Sequence, residues 1–222
     1  ENIQGASESL LGLINDILDF SKIEAKKLTL EHIVFDLRKV LKRVVSICTF
    51  KVHEKGLEFI IDVDKDVPNH LIGDQHRLQQ IIINLASNAI KFTQAGSIHI
   101  SIKKLLDLNG KIELSFSIID TGIGMNDEQQ SRLFRSFSQA DDSVTRKYGG
   151  SGLGLSICQQ IVSLLSGEIS LKSELGEGTS FTFILPFNVV KTDSQEDNST
   201  LTLCSFSQAL PKPLINDLSK YQ

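Results

Sequence analysis

The chain has 222 residues, 41% of them hydrophobic and 23% charged, which suffices for one full domain with appendages and a packed core. Its net charge of −4 gives no electrostatic reason to expect a nucleic-acid partner. Three scattered cysteines lack metal or disulfide spacing, which predicts a reducing, cytoplasmic location. Apolar runs fall well below the roughly 18 residues of a membrane span, so we expect no membrane contact or signal peptide here, although a longer parent could be membrane-anchored.

Residues 1–27 predict one long helix with a wide apolar stripe. Apolar side chains recur every seventh residue in two series, Ile3, Leu10 and Ile17, and Ala6, Leu13 and Phe20. This a/d pattern is typical of coiled coils, and Leu11, Ile14 and Leu18 widen it as a four-helix bundle requires. We therefore expect its partner helices to come from upstream residues or another chain; the alternative is a helix packed within its own domain.

Hydrophobic periodicity over residues 28–187 predicts alternating helices and strands. The expected helices cover 35–55, 75–92, 126–134 and 153–166. The expected strands cover 57–63, 97–106, 111–119, 168–173 and 179–187, and Pro186 should end the last one. Polar residues 188–200 predict a linker. The pattern after it predicts a short strand at 201–206 and a helix at 213–221, which would start a truncated domain. The alternative is that these residues form a disordered tail.

The helix predicted at 75–92 carries a polar group on one face. Asn84 and Asn88 are four residues apart and Lys91 is three further on, so the three side chains project together. Amide oxygens suit Mg²⁺, which keeps waters and substrate phosphates in its shell, and a lysine can contact the phosphates. The segment predicts a magnesium-triphosphate surface, the alternative being a solvated helix face.

The segment Asp120–Met125 (DTGIGM) follows the strand predicted at 111–119. Asp120 would stand at the strand's end, where a carboxylate can accept a hydrogen bond from the exocyclic amine of adenine. Gly122 and Gly124 permit positive φ and close backbone approach. The alternative is an ordinary turn after a strand.

A glycine-rich segment at 149–155 (GGSGLGL) precedes a helical pattern. It is neither a Walker loop nor a dinucleotide fingerprint, because both its spacing and its context differ from theirs. A glycine turn that opens a helix offers free N–H groups and a positive dipole end to phosphate. The polar stretch 135–150, which carries Arg146 and Lys147, predicts a lid over the nucleotide, with a disordered surface loop as the alternative.

The last motif, Gly176–Thr179 (GEGT), lies between two predicted strands and locally predicts a hairpin turn. In their order and spacing, the four segments closely resemble the N, G1, G2 and G3 boxes of sensor histidine kinases, with 133–137 (LFRSF) in place of the F box. The resemblance extends from about Ile3 to Phe187.

The resemblance implies an α/β fold, a two-layer sandwich of a mixed sheet and helices preceded by one long helix. Residues 1–27 would be the second helix of a dimerisation and histidine-phosphotransfer hairpin, and 28–187 the ATP-binding catalytic domain. Residues 188–200 would be a linker, and 201–222 a tail or the start of a receiver-like domain, as in a hybrid kinase.

The resemblance also implies roles for individual residues, with ATP and Mg²⁺ as the cofactors. Asn88 would be the leading Mg²⁺ ligand beside Asn84, Lys91 a phosphate contact, Phe92 a wall of the adenine pocket and Asp120 the adenine reader. Asn84 and Lys91 would serve the chemistry. The other expected nucleotide contacts are Gly122, Gly124, Arg146, Lys147, Gly150, Ser151, Gly152, Leu153, Gly154 and Thr179.

One feature departs from the family pattern. The acceptor histidine of these kinases stands in a Ser-His-Glu context on the preceding helix, and none of His32, His53, His70, His76 and His99 has that context. We therefore expect the γ-phosphoryl group of ATP to pass to a histidine upstream of a chain that begins after the acceptor. The expected partners are that upstream helix, a second copy through residues 1–27, and a response regulator or receiver domain.

The sequence also allows two other functions. ATPases of the gyrase, mismatch-repair and chaperone kind share the fold and place a Glu near position 84 to activate water, a task for which Asn84 has no basic group. A binding module that has lost turnover is the second alternative.

Overall fold

The computed structural model describes residues 14, 17–25, 27–108, 110–133, 152–189 and 201–203. Residues 14 and 17–24 are helical, and 17–24 are called α1. The other elements are β1 (Ile33–Asp36), α2 (Leu37–Lys55), β2 (Glu58–Val63), β3 (His70–Gly73), α3 (Gln75–Phe92), β4 (Ser97–Leu108), β5 (Lys111–Asp120), α4 (Asp127–Arg132), α5 (Gly154–Leu164), β6 (Glu168–Glu174), β7 (Gly178–Val189) and β8 (Leu201–Leu203).

The strands form one mixed sheet in the order β1-β3-β7-β5-β4-β2-β8. Strands β2 and β4 pair in parallel, and the remaining pairs are antiparallel. Strand β6 pairs with the first half of β7, while β3 pairs with its last two residues. The ends of β5 and β6 and the start of β7 consequently meet at one end of the sheet.

The core lies between one face of this sheet and a layer of helices. Along β4, Ile98, Ile100 and Ile102 are buried and alternate with more exposed residues, as expected for a strand with one covered face. Phe116 of β5 stacks on Phe183 of β7 with ring centroids 4.8 Å apart. Helix α3 packs between α2 and α5, so the predicted two-layer α/β sandwich is confirmed.

Strands β1 and β3 are missing from the sequence-based prediction. Each has only four residues, too few for a clear period-two pattern, and they pair with each other. The sequence predicts a helix from residue 35, but Phe35 and Asp36 end β1, and the Asp36 carboxylate caps α2 by accepting the Arg38 N–H at 2.8 Å. The predicted start of this helix was therefore wrong by two residues.

The end of β7 is a second correction, because Pro186 does not terminate the strand. Val189 donates its N–H to the Gly110 carbonyl at 3.0 Å on the β5 side. Since N–H directions alternate along a strand, the Pro186 nitrogen points away from β5, where β6 pairing has ended at Ile184 and β3 pairing begins at Asn188. The missing N–H of the proline therefore costs the sheet no hydrogen bond, and the strand continues past it. Residues 188 and 189 belong to β7 and not to the predicted linker.

The two ends of the chain are described only in part. Most of the heptad positions lie outside the described residues, but Ile14, Ile17 and Leu18 are each about half exposed, at 44%, 52% and 50%. Strand β8 pairs antiparallel with β2 at one edge of the sheet. The rest of the strand predicted at 201–206 and the helix predicted at 213–221 lie outside the described residues. The domain boundaries stay predictions.

Candidate active site

The C-terminal half of α3 carries the polar group predicted from the sequence. Leu85, Ala86 and Ala89 are buried in the core, and this fixes the rotation of the helix. Asn84, Asn88, Lys91 and Phe92 are consequently half-buried, on flanks that are not covered by the sheet. The periodicity of α3 therefore presents both amides and the ammonium together, as the spacing predicted.

A lysine from α2 holds the end of this helix. The Lys55 ammonium donates hydrogen bonds to the carbonyls of Ile90 at 2.6 Å, Lys91 at 3.0 Å and Thr93 at 3.2 Å. The last carbonyls of a helix have no partner within the helix, and a cation there also complements the helix dipole. Lys55 was not predictable from the sequence, because its position in the last turn of its own helix does not reveal that it caps another helix.

Lys91 lies beside Phe92, with its ammonium 4.9 Å from the ring centroid. Burial lowers the pKa of Lys91, because its charged form loses hydration. An anion placed nearby would restore the stability of the ammonium. The geometry suits a phosphate contact.

Asp120 ends β5 and is only 6% exposed. Its Oδ1 accepts the Gly122 N–H at 2.9 Å, and the backbone of Thr179, the residue opposite on β7, also hydrogen-bonds the carboxylate. Burial raises the pKa of Asp120, while these two hydrogen bonds oppose the shift. The result is a fixed, poorly hydrated acceptor.

The loop after Asp120 passes so close to its neighbours that only glycine fits. A Cβ on Gly122 would lie 2.7 Å from the Phe92 carbonyl oxygen, and a Cβ on Gly124, which has φ of 61°, would collide with the Glu174 carbonyl. Ile123 bridges both sides, since its N–H donates to Phe92 at 3.3 Å and its carbonyl accepts from Gly176 at 2.8 Å. The first, second and fourth motifs thus meet in space.

The third motif joins them at the start of α5. Leu153 caps this helix without a side-chain hydrogen bond, so the cap residue itself satisfies none of the first N–H groups. A Cβ on Gly154 would lie 3.8 Å from Asn84 Nδ2. Within the described part of the chain, this Nδ2 is buried and has no hydrogen-bond partner. An orphaned amide NH2 beside a helix N-terminus is a hydrogen-bond donor, and it fits an oxygen of a bound phosphate.

The described site residues are linked by pairwise contacts: Gly154 lies beside Asn84, Gly122 beside the Phe92 carbonyl, and Thr179 opposite Asp120. The other described residues of the predicted site, Asn88, Lys91, Gly124, Gly152 and Leu153, belong to the same helix or loops. Arg146, Lys147, Gly150, Ser151 and the lid predicted at 135–150 lie outside the described residues. Among the described residues, no three His, Cys, Asp or Glu side chains cluster in a way that could hold a metal ion. A metal at this site would therefore depend on amide oxygens and on the phosphates of the nucleotide.

Residues 73–189, just over half of the chain, match the family described as histidine kinase-, DNA gyrase B-, and HSP90-like ATPase. The chain belongs to this ATPase family. It is 44% identical over 211 residues to the signal transduction histidine-protein kinase BarA of Escherichia coli K12, across 95% of this chain and 23% of that protein. It is 45% identical over 196 residues to the sensor histidine kinase GacS of Pseudomonas protegens, across 88% of this chain and 21% of that protein.

Solved structures agree with this assignment. The crystal structure of full-length ShkA in complex with AMPPNP matches with a TM-score of 0.72 and 32% identity, over 85% of this chain and 38% of that one. The chain thus contains an ATP-binding catalytic domain of the sensor histidine kinase type, and it spans less than a quarter of the length of either curated relative. None of the described helices is long and apolar enough to cross a membrane.

Proposed function

We propose that this chain positions Mg·ATP so that its γ-phosphoryl group passes to a histidine imidazole on an upstream helix. The observation that carries the proposal is the approach of the α5 N-terminus to Asn84 on α3, whose last residue, Phe92, contacts the loop after Asp120. Phosphoryl transfer asks a protein mainly for positioning and charge neutralisation. A cluster of amides, backbone N–H groups and one ammonium meets that requirement.

Each described residue has a role in this proposal. Asn88 is the leading Mg²⁺ ligand with Asn84 beside it, and the ion, when bound, neutralises charge on the phosphates. Lys91 and the first N–H groups of α5 bind the phosphate oxygens. Phe92 forms a wall against the base, and Asp120 accepts a hydrogen bond from the adenine amine. Arg146 and Lys147 would reach the phosphates from the lid.

Transfer is favoured over hydrolysis by the side chain at position 84. A water-activating ATPase needs a general base, and a neutral amide cannot remove a proton at physiological pH.

The half-exposed Ile14, Ile17 and Leu18 support pairing of residues 1–27 with further helices in a homodimer. The remaining proposed partner is a receiver domain or response regulator. We propose that these 222 residues bind no nucleic acid and make no membrane contact themselves. We place the domain in the cytoplasm, in a parent that could be anchored in a membrane.

Titration calorimetry of the chain with ATP tests the nucleotide site. We expect ATP to bind more tightly with Mg²⁺ than without it, and Asp120→Ala to weaken ATP binding. A buried hydrogen bond to a charged group contributes about 1.5–3 kcal/mol, or roughly 10- to 150-fold in affinity. Unchanged ATP affinity in Asp120→Ala would refute the adenine assignment, and a steady release of inorganic phosphate would favour the ATPase alternative.

A further inference from the structure

Ser173, on β6, belongs to none of the four motifs. It lies next to the proposed adenine corner, which is formed by Asp120 at the end of β5 and Thr179 of β7. It is half-buried and stands directly opposite Thr179 of β7 in the strand register. Its hydroxyl donates a hydrogen bond to the Gly178 carbonyl at 2.8 Å. The same oxygen lies 3.0 Å from Thr179 Oγ1, in a contact where either atom could donate.

A count of protons decides the direction of that second contact. A serine hydroxyl has one hydrogen, and a carbonyl can only accept, so the hydrogen of Ser173 is used on Gly178. Thr179 must then donate its own hydrogen to Ser173. The free lone pairs of Thr179 Oγ1 can only accept, and a group that is normally both donor and acceptor becomes an acceptor.

This acceptor is next to another. Thr179 lies opposite Asp120 in the β5–β7 register, and its backbone hydrogen-bonds the Asp120 carboxylate. The two residues are 8% and 6% exposed, so little water is available to reverse the hydroxyl or to screen the carboxylate. The corner therefore presents two hydrogen-bond acceptors to a ligand and no side-chain donor from either residue.

We propose that Ser173 is a positioning residue that sets base specificity by holding the Thr179 hydroxyl as an acceptor. The inference rests on the proposed function, in which the purine lies against Asp120. A 6-amino purine offers hydrogens to both acceptors, directly or through a water. A 6-oxo purine can donate its N1–H to Asp120, but its O6 then faces the lone pairs of Thr179. Releasing Thr179 would let its hydroxyl turn and donate to O6.

The test compares two variants of nearly equal shape, Ser173→Thr, which keeps the hydroxyl, and Ser173→Val, which replaces it with a methyl group. Affinities of the 222-residue chain for ATP and for inosine triphosphate, a 6-oxo purine, are measured by competition with a fluorescent nucleotide. We expect Ser173→Thr to retain the parent ratio of ATP affinity to ITP affinity. Ser173→Val should lower this ratio about tenfold, because the released Thr179 hydroxyl can donate to O6 of ITP and is no longer held as an acceptor for ATP. Ser170→Ala is the control, since this exposed serine on the same strand hydrogen-bonds only the Thr182 carbonyl among the described contacts.

Equal ATP-to-ITP ratios in the Thr and Val variants would overturn the inference. A merely structural role for Ser173 would weaken both nucleotides alike and leave the ratio unchanged. Combining Ser173→Val with Thr179→Val gives a second readout, because without the threonine hydroxyl the change at Ser173 should no longer alter the ratio. Weaker ATP binding by Asp120→Ala together with unaltered ATP-to-ITP ratios in the Ser173 variants would refute this inference alone. No ATP binding by the parent would refute both the proposed function and this inference.

Discussion

Replacing Lys55 by Met should destabilise the domain and weaken nucleotide binding, because one ammonium caps the helix that carries the candidate site. Its three carbonyl contacts lie between 2.6 and 3.2 Å. A hydrogen bond to a charged group contributes about 1.5–3 kcal/mol, but three acceptors share one half-buried cation, so the contributions do not add. We expect a loss of about 2–3 kcal/mol in the free energy of unfolding, or roughly 4–12 °C in Tm for a domain of this size.

Urea unfolding followed by circular dichroism gives the free energy, and calorimetry gives the ATP affinity of the folded variant. Lys51→Met is the matched control, since Lys51 is exposed and lies one turn earlier on the same helix. That control should change stability by less than about 0.5 kcal/mol. If both variants unfold at the same urea concentration as the parent, Lys55 does not anchor α3, and its proposed link to the site is wrong.

Three further outcomes follow from the same structure. Because burial raises the pKa of Asp120 in the folded chain, its ionised form opposes folding at neutral pH; this cost declines as the pH falls through the folded-state pKa and is gone below the unfolded-state pKa. Asp120→Asn should therefore raise the neutral-pH Tm of the nucleotide-free chain while weakening ATP binding, and a lower Tm would contradict this. Burial lowers the pKa of Lys91, so ATP affinity should fall at a lower alkaline pH than an exposed lysine would give, and Lys91→Arg should remove that dependence in calorimetry across pH. Arg77 pairs with Asp19 at 2.9 Å and joins α1 to α3, so Arg77→Leu should speed hydrogen exchange in residues 17–24; unchanged exchange would show that the pair does not hold α1.

Long periodic segments were predictable from the sequence, and short paired ones were not. The periodicity of residues 75–92 gives α3 its bounds, because seven of its residues are buried at helical spacing. Strands β1 and β3 depend on pairing with each other and with β7, which local periodicity does not record. Pro186 is tolerated within β7 because its nitrogen faces the gap between two neighbouring strands, a fact of topology and not of propensity.

In the candidate site, the residues within the motifs were predictable from the sequence, and the residues that support them were not. Asn84, Asp120 and Gly154 belong to compact motifs whose chemistry can be derived from residue type and spacing. Lys55 and Ser173 act through contacts with residues on other elements, and neither lies in a motif. Such supporting residues become visible only when the fold brings distant segments together.

The most direct test of the central proposal supplies the acceptor that the chain lacks in the family context. The 222-residue chain is incubated with Mg²⁺ and ATP radiolabelled at the γ-phosphate, alone and together with a separate protein that carries the upstream helix of such a kinase. We expect no labelling of the chain alone and acid-labile label on the histidine of the added helix, at a rate below that of a tethered acceptor. Label on any of the chain's own five histidines, or no transfer to the added helix despite measurable ATP binding, would contradict the proposal.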